Sequence, residues 1–130
     1  MPAAPPSPLF FAKNLSAWRR WLRSHHQKQR HVWLVFLKGD KSADGVSFSD
    51  ALDEALCWGW IDSMVRRIDD ERYARKFTPR VDPEQWSDSN LERLRRLLPA
   101  GRMQPAGLAV VSKRVLRIAE KPQAKKAPRK

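Results

Sequence analysis

Three short words hold most of the residues of this sequence that are equipped for chemistry: CWGWIDS at 57–63, RYARKFTPR at 72–80 and WSDSN at 86–90. The first sets two indoles around a glycine and follows them with a carboxylate. In a strand starting near Trp60, alternation puts Trp60, Asp62, Met64 and Arg66 on one face and Ile61, Ser63 and Val65 on the other. Asp62 then lies beside large apolar groups, where an unpaired carboxylate is costly and an arginine partner is expected. Arg75 and Arg80 are the candidates. Two readings stay open: a strand-pairing ion pair under a tryptophan lid, or an anionic or polar ligand held by arginine between Trp58, Trp60 and Trp86. Ser87 and Asn90 divide the same way. They are helix caps, or they join Arg80 and free helix-start amides in an anion pocket.

Other chemistries find less support. Adjacent histidines on a helix diverge by about 100°, and no cysteine or carboxylate stands near His25, His26 and His31 at ligand spacing, so no metal site is expected. Cys57 ends an apolar helix face with no neighbouring base, and buried thiols are inert. No Gly-rich phosphate loop, G-x-S-x-G elbow or paired CxxC occurs. No catalytic residue and no cofactor are therefore expected, although an enzyme using Asp62 as general base remains an alternative if that carboxylate lies in a cleft.

The elements that must position these words follow from periodicity. Leu15, Trp18, Trp21 and Leu22 recur at helical spacing with Arg19, Arg20 and Arg23 on the other side, capped by Asn14 or Ser16. HVWLVFLK, residues 31–38, reads as a strand buried on both faces. Ser47 opens a second helix through Phe48, Leu52, Ala55 and Leu56, closed near Trp58 by a left-handed Gly59. Residues 60–69 and 72–80 form a hairpin turning at Asp70 and Glu71, with Pro79 ending the second strand. A box at Ser89-x-x-Glu92 starts a third helix, stopped by Pro99 and Gly101. A fourth runs from Pro105 with Leu108, Val111, Val115 and Ile118 on one face. The expected architecture is α+β: about three antiparallel strands with about four helices packed on one face. A flexible Pro-rich arm at 1–8 is expected to precede a single domain at 9–120, and a basic tail at 121–130 is expected to be disordered.

The 130 residues carry a net charge of +12, unevenly placed. All fourteen acids lie between Asp40 and Glu120, while residues 1–39 hold seven lysines and arginines and the tail adds five more cations. An acidic partner is expected: nucleic acid, an anionic membrane surface or an acidic protein. The nucleic-acid version would use Arg19, Arg20, Arg23 and the tail residues Lys125, Lys126, Arg129 and Lys130 through counterion release, weakly and without sequence preference. The start lacks a secretory pattern and no apolar run approaches ~20 residues, which predicts a soluble cytoplasmic protein without a membrane span. A lone cysteine excludes an internal disulfide framework. Oligomeric state is not readable.

CWGWIDS, RYARKFTPR with FTPR followed by WS-x-x-N, and GRM-x-PAGL at 101–108 occur in an order that resembles the YdeI/OmpD-associated family, often described as bacteriocin-protection proteins. The likeness covers about residues 9–118. It implies no assigned reaction or cofactor, so no catalytic residue transfers, and it implies a further helical segment where this chain turns into its basic tail. The expectation is thus a non-enzymatic cytoplasmic binding module of that type. Its pocket for an anionic or polar ligand is lined by Trp58, Trp60, Asp62, Arg75, Arg80, Trp86, Ser87 and Asn90.

Overall fold

In a computed structural model, residues 5–121 are described. The nucleic-acid contacts expected at Lys125, Lys126, Arg129 and Lys130 lie outside them. Four strands, β1 (Leu9–Phe11), β2 (Val32–Leu37), β3 (Trp60–Arg67) and β4 (Arg72–Pro79), form one sheet in the order β1-β2-β4-β3. Five α-helices accompany it: α1 (Leu15–His25), α2 (Phe48–Cys57), α3 (Asp88–Leu97), α4 (Pro105–Leu108) and α5 (Lys113–Glu120). The class is α+β. The additional strand, β1, is short and runs parallel to β2, so the sheet is mixed. The Pro-rich arm is tied down where it meets β1, because Pro8 O accepts from Trp33 N and Ser7 O meets His31 Nε2.

β2 fills both faces as its unbroken apolar run requires. Val32, Leu34 and Phe36 enter the main core with Trp18, Leu22, Leu56, Trp60 and Phe77, while Trp33 and Val35 are buried on the opposite face. There Arg66 and Lys76 lie over the Trp33 ring at 5.9 and 6.0 Å. Long cationic side chains thus cover a sheet face with their stems. The alternation expected along β3 is interrupted by a bulge between Asp62 and Val65. The extra residue flips the pattern, so Arg66 leaves the face of Trp60 and Asp62 for that of Trp33.

The caps decide where the helices begin. Asn14 and Ser47 accept from Ala17 N and Asp50 N as expected. α3 is capped by Ser87 rather than Ser89, its Oγ accepting from Asn90 N. The expected fourth helix is two helices, since Ser112 caps α5 through Val115 N while its own N–H goes to Pro83 O. A second small core of Leu94, Val111, Val115 and Ala119 joins α3 to α5.

Two sequence words interlock at the end of α2. Gly59 sits at φ +81°, and a Cβ there would lie 2.8 Å from Ala106 O. A Cβ on Gly107 would lie 2.2 Å from Cys57 O. The backbones of CWGW and PAGL therefore touch, and Gln104 N donates to Cys57 O at 2.9 Å to join them.

Candidate functional site

The two tryptophans of the corner converge on the C-terminal end of α1. Trp58, half-buried, packs its ring 4.8 Å from His26 and donates Nε1–H to Glu54 Oε2 at 3.0 Å. Trp60 is 1% exposed and donates to His26 O at 3.3 Å, with Trp21 edge-on against it. Trp60 is thus a core side chain and cannot floor an open pocket, contrary to its expected place there. A buried indole has to spend its one donor inside the fold, and the end of α1 supplies carbonyls for it.

Asp62 finds Arg75, not Arg80. Arg75 Nη1 donates to Asp62 Oδ2 at 3.0 Å, and its guanidinium lies 4.0 Å from the Phe48 ring on α2. The bulge brings this about by setting Val65 opposite Arg75, so that Arg75 is diagonal to Asp62 on the helix-side face. Arg80 belongs to the turn after β4. Its guanidinium stacks 4.0 Å from the Trp86 ring, its Nη2 donates to Gln85 O, and Trp86 Nε1 closes the turn on Pro83 O. Arg80 Nε is buried without a partner, and no carboxylate of the described residues is within ion-pair distance of the group. Burial lowers the Arg80 pKa from its ordinary value, with Asp82 opposing. Ser87 caps α3, and Asn90 supplies the N–H that it accepts. The expected site therefore divides into a tryptophan corner, an Asp62–Arg75 pair and an Arg80–Trp86 stack.

The strongest polar cluster is built on two acids that were not among the expected site residues. Asp53 and Glu54 on α2 are 5% and 3% exposed, and four arginines from outside that helix hold them. Arg93 and Arg96 of α3 reach Asp53 at 2.7 and 3.2 Å. Arg19 of α1 grips Glu54 with two hydrogen bonds of 3.1 Å, and Arg102 adds a third at 2.9 Å. Burial pushes the Glu54 carboxyl up, but the hydrogen bonds from Arg19, Trp58 and Arg102 outweigh it and hold the pKa below its ordinary 4.5. Arg19, expected as a phosphate contact, is thus engaged with Glu54, its side chain 40% exposed. Arg20 and Arg23 are exposed. The available signal was an Asp-Glu pair inside an otherwise apolar helix, since buried acids demand cations.

Cys57 is fully buried, and its thiol is pushed up to about 12 by burial and by the negative charge of Glu54. It should resist a thiol reagent at pH 8 in the folded protein and react at once in denaturant. Rapid labelling of the native state would show that α2 opens at this end. The histidines are committed locally: His25 Nδ1 and His26 Nδ1 meet Trp21 O and Leu22 O at 2.9 and 2.8 Å. Among the described residues no cluster of three or more His, Cys, Asp or Glu could hold a metal ion.

One concavity of about 490 Å³ lies between β1 and α1, lined by Phe10, Phe11, Lys13, Arg20, Trp21 and His25 among others. No helix among the described residues is long and apolar enough to cross a membrane. A family model described as "Domain of unknown function (DUF8412)" matches residues 10–110. No curated protein and no solved structure matches the chain.

Proposed function

The chain belongs to the DUF8412 family, and we propose that it is a non-enzymatic, cytoplasmic binding module whose Arg80–Trp86 stack receives an anionic group. The observation that carries this reading is the contrast among its arginines. Asp53, Glu54 and Asp62 are all occupied by cations. Buried Nε atoms without a partner occur on Arg75, Arg80 and Arg95, but Arg75 and Arg95 are paired with Asp62 and Glu92, whereas half-buried Arg80 has no carboxylate of the described residues within ion-pair distance. A guanidinium held over an indole is oriented and partly dehydrated, which strengthens its contact with a carboxylate or phosphate. The general-base alternative is disfavoured because Asp62 already accepts from Arg75. The words that make the chain similar to YdeI/OmpD-associated proteins include FTPR, which ends at Arg80, and WS-x-x-N, which begins at Trp86. A part in bacteriocin or stress protection comes with that likeness.

Tryptophan-fluorescence titration with inorganic phosphate and with citrate tests the assignment. Arg80→Ala should cost only about 1 kcal/mol of stability, the worth of a cation–π contact and one hydrogen bond, and abolish the anion response. Asp62→Ala should cost about 1–2 kcal/mol, because the pair is neither exposed nor fully buried, and leave the response intact. Undiminished phosphate affinity in a folded Arg80→Ala protein would remove the assignment.

A further inference from the structure

The concavity between β1 and α1 differs from the Arg80 turn in both its floor and its charge. Its floor is aromatic. Trp18, Trp21 and His25 stack along α1 as a ladder, with ring centroids 5.5 Å apart at 19° and 4.7 Å apart at 18°. The ladder is anchored at the fully buried Trp18, where the Nε1–H donates to Ala51 O at 3.0 Å, and it ends at the half-buried His25 on the concavity wall. Phe10 braces Trp21 from β1 at 6.1 Å, and Phe11 stands at the edge with 45% of its surface exposed. β1 is itself an outer strand of the sheet, which leaves this side open.

The charge is of one sign. The ionisable residues lining the concavity are Lys13, Arg20 and His25, with no carboxylate. The sequence has no acid before Asp40, and neither Lys13 nor Arg20 has an ion-pair partner among the described residues. Arg19, one position away, is the contrasting case, since its charge is spent on Glu54. The Nδ1 of His25 meets the Trp21 carbonyl, which fixes the ring orientation at the open end of the ladder.

We infer that this concavity binds single-stranded nucleic acid, with phosphates on Lys13 and Arg20 and bases stacked on His25 and Phe11. Unpaired bases offer the flat π-faces that extend such a ladder, and stacking tolerates any sequence. A duplex presents its phosphates but hides its base faces, so the aromatic floor would gain nothing from it. A carboxylate-rich protein would use the cations and leave the ladder unused. The site is separate from the Arg80–Trp86 turn, and neither assignment depends on the other.

The test is fluorescence anisotropy of a labelled oligothymidylate with the full chain, repeated with a duplex of equal length and over a salt series. The double variant Lys13→Ala/Arg20→Ala should weaken oligothymidylate binding about tenfold and make the log–log salt dependence shallower by about 1.4, the loss of two single-strand phosphate contacts. The control Lys28→Ala/Arg30→Ala removes the same charge from exposed residues outside the concavity and should change affinity less than about threefold. Phe11→Ala should weaken the single strand at least about fivefold and leave duplex binding unchanged. The cationic variants alter exposed side chains and stay folded, so they decide the matter even if Phe11→Ala lowers stability. Equal losses in the two double variants would overturn the site. So would duplex binding as tight as single-strand binding, anionic vesicles binding more tightly than oligothymidylate, or no oligothymidylate binding at low salt.

Discussion

Gly107→Ala should lower the folding free energy by about 3 kcal/mol or more, beyond the usual cost of a surplus methyl group. The new Cβ would sit 2.2 Å from Cys57 O, 2.7 Å from Cys57 C and 2.8 Å from Leu56 O. All three atoms are backbone at the end of α2, where no rotamer change gives relief. α4 would have to lift away from α2, and the Gln104 N–Cys57 O bond would go with it. Gly59→Ala adds a second cost, because φ of +81° is unfavourable for any L side chain and the Cβ also meets Ala106 O. Gly39 and Gly101 provide the comparison. Both have positive φ, at 59° and 71°, but open space around the missing Cβ. Alanine at either should cost only about 1 kcal/mol, from backbone strain alone. Denaturant melts of the four variants separate close approach from conformation. A Gly107→Ala protein within about 1 kcal/mol of the parent would mean that the α2–α4 contact is not held in solution.

That interlock also separates what the sequence makes legible from what only the fold supplies. Gly59 was legible as a left-handed helix end, because the apolar spacing of α2 stops near Trp58 and a glycine follows. Its close approach to Ala106 was not, and nothing local to PAGL announces that the Cys57 carbonyl, fifty residues earlier, presses on Gly107. The same division runs through the candidate site. Alternation placed Asp62 near arginines on the next strand, and Arg75 was one of the two named. The bulge between Asp62 and Val65 settled the choice, and no glycine or proline in DSMV marks it. Trp60 was recognisable as a large ring beside Asp62, but a pocket wall and a core residue have the same letter. Burial came from the end of α1, which supplies His26 O to its indole. Arg19, Arg20 and Arg23 read alike as a basic helix face. A helix positions neighbours about 100° apart, so Arg19 turned onto α2 and met Glu54, while Arg20 faced the concavity beside β1.

Glu54→Ala should cost about 2–4 kcal/mol, the range for breaking a buried ion pair reduced because its arginine partners are partly exposed. Glu54 is 3% exposed, whereas the Arg19 and Arg102 side chains are 40% and 34% exposed. Removing the acid leaves a cavity, a Trp58 donor without its acceptor and two like charges facing one another. Removing Arg19 alone should cost less, because Arg102 and Trp58 still donate to the carboxylate. Removing both arginines should cost more than the two single losses together, since Glu54 would then be a buried acid with one neutral donor. The pH dependence has a definite sign. The folded pKa of Glu54 lies below its ordinary 4.5, so its contribution is complete above that value and is lost as pH falls through the depressed one. The stability difference between parent and Glu54→Ala should therefore be flat above about pH 5 and shrink in acid, whatever the other carboxylates do, because their titration is common to both proteins. A difference that grows on acidification would mean that burial outweighs the four hydrogen bonds. The arginines would then be surface decoration on a protonated acid rather than the clamp that joins α1 and the segment after α3 to α2.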